Sequence, residues 1–148
     1  MAGERFAFLA DALMDEGRRA AVLIGPGEVE LGRRVAYRAR HRIPVVGGDL
    51  DTGELAALLS LAVLLVGNDS GPAHLAAAVG TPVVEFFGPT DPGRTAASGA
   101  PVAVLDRYVF CSPCYLKTCP YGHECMEEIS VEMAHAAARR LLRENGVS

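Results

Sequence analysis

The sequence contains no tryptophan, and only 6% of its 148 residues are aromatic, although 50% are hydrophobic. Its core must therefore be packed mainly from aliphatic side chains. The chain also lacks a basic cluster and has a net charge of −4, which argues against a general nucleic-acid-binding protein. The longest apolar stretch, residues 55–66, contains Ser60 and is too short to cross a bilayer. Acidic residues stand at the N-terminus, where a secretory signal would be basic, so we expect a cytoplasmic protein without a transmembrane segment.

Helical and strand patterns alternate along most of the chain. They predict helices at 4–16, 28–40, 51–61, 72–79 and 130–143, and strands at 20–24, 43–46, 62–66 and 82–87. The strands are continuous apolar runs, which is typical of a parallel sheet covered on both faces. The pattern predicts an α/β fold with a doubly wound parallel sheet in one domain, residues 1–148. Ligands bind such sheets beyond the carboxyl ends of the strands.

The loop after the third predicted strand carries the clearest chemical pattern. Asp69-Ser70-Gly71 stands where the first amides of a helix are unpaired and its dipole is positive, which suits a diphosphate. Pro72 fits the first helical turn, because the amide it lacks would have had no partner there. His74 lies in the same turn and can face the same ligand. A plain strand-to-helix turn capped by Asp69 or Ser70 explains the loop equally well, but does not explain His74.

Residues 68–92 resemble glycosyltransferase family 9, the lipopolysaccharide heptosyltransferases. The family pattern is N-D-[ST]-G-[PA]-x-H-[LI]-A-A-A, then G-T-P, a strand and F-G-x-T-x-P, and this sequence reads NDSGPAHLAAAVGTPVVEFFGPTDP. The resemblance implies the Rossmann-like, donor-binding C-terminal half of a GT-B enzyme of lipopolysaccharide core synthesis. Such an enzyme is expected in the cytoplasm, with peripheral attachment to the inner membrane as the alternative.

The same resemblance implies that the chain is a fragment. Glu4-Arg5-Phe6 matches the family sequence just after the first strand of the donor half. We therefore expect this chain to lack that strand, a phosphate-facing lysine, and the acceptor-binding half with its catalytic acid. The exposed sheet position that results would favour self-association.

By resemblance, five residues of the two matching loops surround the diphosphate sugar. Ser70 and Gly71 would offer amides or a hydroxyl to the diphosphate, and Asp69 would accept hydrogen bonds from sugar hydroxyls. His74 would support the phosphate end, and Thr90 would lie near the diphosphate. For Thr90, an ordinary proline-flanked surface turn is an equal alternative. No metal is needed if amide dipoles and a cation carry the charge of the leaving diphosphate.

Two further positions would contact the nucleoside. By resemblance, Glu28 would bind the ribose diol, although an acid in the first turn of a helix is common without any ligand. The backbone at Val46 and the glycines after it would meet the adenine edge, and a plain strand end is the alternative.

Residues 105–128 form a cysteine-rich loop. Its potential metal ligands are Cys111, Cys114, Cys119, Cys125 and His123. Four cysteines clustered in a cytoplasmic protein suggest metal more than disulfides, and a structural zinc would fit. The spacing lacks a second C-x2-C pair, however, so we favour thiols without a bound metal. Reduced structural thiols, zinc, and disulfides formed in air all stay open.

The sequence thus supports three hypotheses of function. The first is the donor half of an inverting, metal-independent glycosyltransferase that takes an ADP-heptose-like donor, needs no cofactor and is inactive alone. The second is a stand-alone nucleotide- or phosphate-binding module. The third is an interaction domain held together by metal at the cysteines.

Overall fold

The computed structural model describes residues 3–147, and these divide into an N-terminal unit, residues 3–55, and a C-terminal unit, residues 56–147. The N-terminal unit contains α1 (Gly3–Asp15), β1 (Val22–Ile24), α2 (Val29–Arg38) and β2 (Val45–Gly47). The two strands are parallel, with Val22 opposite Val45. The helix α3 (Thr52–Ser60) runs from one unit into the other.

A buried carboxylate fastens α1 to the segment that follows α2. Asp11 is only 2% exposed, and its oxygens accept hydrogen bonds from the backbone N–H groups of Arg40 and His41 at 2.9 to 3.0 Å. Burial by itself raises the pKa of Asp11, but these two donors and the nearby positive charges outweigh it, so the pKa lies below its ordinary value. The ionised carboxylate therefore stabilises the N-terminal unit.

The C-terminal unit contains a three-stranded parallel sheet in the order β3-β4-β5. The elements of this unit, in chain order, are β3 (Leu65–Asn68), α4 (Gly71–Ala78), β4 (Val83–Phe87), α5 (Pro92–Thr95), β5 (Val102–Asp106), α6 (Glu124–Glu127) and α7 (Val131–Glu144). The central strand β4 is buried along its whole length. Helix α4 packs against β3 and β4, and α7 packs against β4 and β5. Alanines on both helices permit close packing, and Ala76, Ala77, Ala134 and Ala138 are buried.

The predicted α/β fold with parallel strands is confirmed, and most predicted elements are found within a few residues. The described strands form two sheets rather than one. Helix α3 begins with a reciprocal capping box, in which Glu54 N donates to Asp51 Oδ1 at 2.8 Å and Asp51 N donates to Glu54 Oε2 at 2.9 Å. Self-association stays a prediction.

The third strand begins later than predicted. The amide of Ala62 donates to the carbonyl of Leu59 in the last turn of α3 at 3.0 Å, so this apolar residue follows the helix instead of starting a strand. The ladder of β3 begins where Leu65 N donates to the carbonyl of Pro82 at 2.9 Å. Between β4 and α7, where no helix or strand is predicted, the structure contains α5, β5 and α6. None of the described helices combines the length and apolar character that crossing a membrane requires.

Candidate functional site

The loop between β3 and α4 is fixed by the neighbouring strand. Asp69 N donates to the carbonyl of Phe86 on β4 at 3.1 Å. Ser70 is the N-cap residue of α4, but its side chain makes no capping hydrogen bond, and Pro72 occupies the first turn as predicted. Ser70 and Gly71 are exposed. The first turn of α4 is therefore open to a ligand.

The carboxylate of Asp69 joins this loop to the one that follows β4. Its Oδ2 accepts hydrogen bonds from Thr90 Oγ1 at 2.7 Å and from Thr95 Oγ1 at 3.2 Å. Its Oδ1 lies 3.8 Å from Nε2 of His74, whose side chain is about half exposed, and Asp69 itself is only 19% exposed. The structure thus brings together Asp69, His74 and Thr90, and it adds Thr95, which the sequence analysis missed.

A second carboxylate, Glu85, lies beside this pair. Glu85 stands in the middle of β4 and is fully buried. Its Oε2 accepts a hydrogen bond from Ala97 N at 3.0 Å, whereas its Oε1 has no hydrogen-bond partner. Burial raises the pKa of Glu85; the charge of Asp69 raises it further, while Ala97 and His74 lower it.

Asp69, His74 and Glu85 together are named here the acid–imidazole cluster. Each offers one ligand atom, and these atoms all lie within 4.8 Å of one another. Glu85 was not predicted as a site residue, although the sequence contains one signal: it is the single charged residue in the apolar run 83–87.

The cysteine-rich loop holds the backbone of the loop after β4. Ser112 Oγ donates to the carbonyl of Gly88, and the amides of Cys114 and Tyr115 both donate to the carbonyl of Pro89, at 3.0 and 2.8 Å. Since Pro89 precedes Thr90, the cysteine-rich loop fixes the backbone beside Thr90, the residue whose hydroxyl donates to Asp69.

The four cysteines and His123 line one cavity of about 310 Å³, whose wall also includes Asp69 and Thr90. All four are free thiols. Burial and the neighbouring thiols raise the pKa of Cys125, which keeps it protonated and weakly nucleophilic. Within residues 3–147, the acid–imidazole cluster is the group whose ligand atoms are close enough to share an ion, and the thiols do not form such a group.

Comparison with known proteins identifies the family. The pattern of glycosyltransferase family 9 (heptosyltransferase) matches residues 2–124. The chain belongs to glycosyltransferase family 9.

Several heptosyltransferases are similar to this chain in sequence, which agrees with the family assignment. The lipopolysaccharide heptosyltransferase 3 of Escherichia coli (strain K12) is 39% identical over 92 residues, which are 60% of this chain and 26% of the relative. The lipopolysaccharide heptosyltransferase 1 of Pseudomonas aeruginosa is 42% identical over 72 residues, or 49% of this chain and 20% of the relative. The matched part of this chain thus spans only a fifth to about a quarter of the length of these curated relatives.

Solved structures show the same fold. The family 9 glycosyltransferase of Veillonella parvula DSM 2008 superposes with a TM-score of 0.80 at 31% identity, covering 97% of this chain and 42% of that one. The ADP-heptose lipopolysaccharide heptosyltransferase II of E. coli gives a TM-score of 0.78 at 22% identity, again over 97% of this chain and 42% of that one. The match to a GT-B fold therefore extends over nearly all of this family 9 chain.

The two predicted nucleoside contacts of this family 9 chain lie in the N-terminal unit. Glu28 is the N-cap residue of α2, and its Oε2 accepts a hydrogen bond from Gly25 N at 2.7 Å. Val46 lies on β2 opposite Leu23. After it, Gly47 has a positive φ of 100°, and a Cβ there would lie 2.4 Å from the carbonyl oxygen of Ile24. Glycine is therefore required at this strand end, while the roles of Glu28 and Val46 stay predictions.

Proposed function

We propose that this chain binds the nucleotide-diphosphate-sugar donor of a family 9 glycosyltransferase, with an ADP-heptose-like compound as the donor. The observation that carries the proposal is the junction of two loops at Asp69. There the first turn of α4 is open, and Thr90 from the loop after β4 donates to the carboxylate at 2.7 Å. A rigid junction of this kind beside exposed helix amides suits an anion that must be held in one orientation.

The diphosphate is assigned to the start of α4. The amides at Ser70 and Gly71 and the Ser70 hydroxyl, which makes no capping bond, are the donors that face it. They would bind more strongly as negative charge grows on the departing diphosphate, so they would lower the barrier to transfer. His74 adds an imidazole N–H at the same end of the helix.

The sugar is assigned to Asp69. Its Oδ2 is already occupied by two hydroxyl donors, so Oδ1 is the oxygen that would accept from the donor sugar. By the resemblance stated above, Glu28 would accept from the ribose diol and the backbone at Val46 would meet the adenine. Glu28 would use the carboxylate oxygen that does not bind Gly25 N.

Sugar transfer in lipopolysaccharide core synthesis is proposed for the whole family 9 protein. The matched part of this chain spans about a quarter of the length of the curated relative, and we propose that these 148 residues alone bind the donor without transferring its sugar. The acceptor half would then be the partner of this chain. The proposed location is the cytoplasm, at the periphery of the inner membrane.

Calorimetric titration with ADP, UDP and inorganic pyrophosphate tests the proposal. We expect saturable binding of ADP, with weaker binding in Asp69→Ala and His74→Ala. Glu144→Ala is the matched control, because Glu144 is an exposed acid near the end of α7 whose carboxylate lies 3.9 Å from Arg140.

The same titration separates the rival functions. Pyrophosphate bound as tightly as ADP would favour the stand-alone phosphate-binding module. Failure of ADP to bind at millimolar concentration would overturn the proposal for this chain.

A further inference from the structure

Glu85 lies in an electrostatically unfavourable environment in the C-terminal unit. It is fully buried, and its Oε1 has no hydrogen-bond partner. A buried carboxylate oxygen without a donor is costly, and the carboxylate of Asp69 close by adds repulsion between like charges. A positive charge between the two carboxylates would remove both penalties.

The surrounding bonds prepare the three side chains for such a charge. The Thr90 and Thr95 hydroxyls hold one oxygen of Asp69, and the Ala97 amide holds one oxygen of Glu85. Each carboxylate is thereby oriented by one oxygen and keeps the other available. Outer donors of this kind are what orient carboxylate ligands in metal sites.

We propose that Asp69, His74 and Glu85 form a binding site for a divalent transition-metal ion such as Mn²⁺. The ligands are Asp69 Oδ1, one ring nitrogen of His74 and Glu85 Oε1, and the ligand atoms that the three residues offer lie within 4.8 Å of one another. Two ligand atoms on opposite sides of an ion, each at about 2.0–2.4 Å from it, lie at most about 4.8 Å apart, so this spacing is compatible with one shared ion.

The donor set decides the class of ion. One imidazole nitrogen and two carboxylate oxygens suit Mn²⁺, Fe²⁺, Co²⁺ or Zn²⁺, whereas Mg²⁺ and Ca²⁺ prefer oxygen alone. Two carboxylates balance the two positive charges. Three protein ligands leave coordination positions open, and the half-exposed His74 marks the side from which water or an anion would enter.

The site differs from the candidate zinc ligands of the cysteine-rich loop, because it uses none of the cysteines. It also departs from the expectation that the diphosphate needs no metal. If the proposed donor binds at the start of α4, an open position of the ion could accept a diphosphate oxygen. That last step rests on the proposed function, whereas the ion site itself does not.

Mn²⁺ binding by the purified chain, stripped of metal with a chelator, tests the site. Free Mn²⁺ is counted from its room-temperature electron paramagnetic resonance signal, without nucleotide. We expect one Mn²⁺ per chain, with affinity reduced at least ~10-fold in Glu85→Gln and in Asp69→Asn. The amide oxygen of the Gln variant can still accept from Ala97 N, and the variant removes a buried charge, so it should fold.

Two further readouts identify the ligands. Pulsed resonance should show coupling of Mn²⁺ to an imidazole nitrogen, and this coupling should vanish in His74→Ala. Mn²⁺ should raise the melting temperature of the unmodified chain but not that of Glu85→Gln. Asp106→Asn is the control, since Asp106 is a half-buried acid at the end of β5 whose Oδ1 also has no hydrogen-bond partner.

Either of two results would overturn the site. One is the absence of stoichiometric Mn²⁺ binding; if ADP still binds, only the ion site fails and the proposed function stands. The other is Mn²⁺ binding that survives Glu85→Gln and His74→Ala but is lost in Cys125→Ala, which would move the metal to the cysteine cavity.

Discussion

The bond from Thr90 to Asp69 makes the sharpest test of how the candidate site is built. It is a hydroxyl-to-carboxylate bond of 2.7 Å between partly buried groups, and such bonds to charged acceptors contribute about 1.5–3 kcal/mol. Thr90→Val keeps the shape of the side chain and removes only the donor. We therefore expect the free energy of unfolding to fall by about 1–2 kcal/mol, with Thr95 retaining the carboxylate in part.

The chain supplies matched comparisons for this variant. Thr90→Ser keeps the hydroxyl, so its free energy of unfolding should fall much less than that of Thr90→Val. Thr95→Val should cost less than Thr90→Val, because the Thr95 hydroxyl lies 3.2 Å from Asp69 and equally 3.2 Å from the carbonyl of Asp91. The loss in free energy of unfolding should be largest for Thr90→Val, smaller for Thr95→Val and smallest for Thr90→Ser.

Urea unfolding of the single variants and of the double variant with Asp69→Ala, which removes both acceptor oxygens, measures the coupling directly. If Thr90 acts through Asp69, its substitution should cost little free energy of unfolding once Asp69 is Ala, and ADP affinity should fall in parallel with the lost coupling. A loss below about 0.5 kcal/mol for Thr90→Val, or equal losses for Thr90→Val and Thr90→Ser, would refute this reasoning.

Two predictions concern the N-terminal unit. Asp11→Ala should lower the free energy of unfolding by roughly 2–4 kcal/mol, because the amides of Arg40 and His41 lose their acceptor. The pKa of Asp11 is lowered in the folded chain, so its stabilising effect is present above the ordinary pKa near 4 and is lost as the pH falls through the folded value. Urea unfolding from pH 6 to pH 3 should therefore show that the stability of Asp11→Asn depends less on pH than that of the unmodified chain. Gly47→Ala should cost at least ~2 kcal/mol from backbone strain and a close contact, since its Cβ would lie 2.4 Å from Ile24 O, whereas Gly67→Ala, with nothing within 4 Å, should be nearly neutral by thermal melting.

Features that depend on nearby residues could be predicted from the sequence. The capping box at Asp51 and Glu54 needs only two residues three apart, and it is present. The position of Pro72 in the first turn of α4 follows from the same local rules. Strand ends were less accurate, because Ala62 is apolar in either state and only its hydrogen bond to Leu59 of α3 shows that it follows the helix instead of starting the strand.

Contacts between distant residues were beyond such rules. Asp11 looks like an ordinary helix acid in the sequence, yet its partners are 29 and 30 residues away. The resemblance to family 9 placed Thr90 near the diphosphate, but nothing in the sequence indicated that its hydroxyl would be bound to Asp69. Thr95 gave no signal, because its hydroxyl reaches Asp69 only after α5 has formed.

Glu85 shows what information was missing. A lone acid in an apolar strand is visible in the sequence, but the environment of its side chain depends on how β4 pairs with β3. In the structure, Glu85 of β4 stands opposite Gly67 of β3, which is 18 residues away in the chain. Residues opposite each other in a sheet project to the same face. Gly67 has no side chain and the space where its Cβ would lie is open, so the paired residue on β3 places no side chain beside Glu85. Placing any larger residue opposite Glu85 should therefore narrow the approach to the carboxylate, which makes Gly67→Val the variant expected to exclude Mn²⁺ while keeping all three ligands.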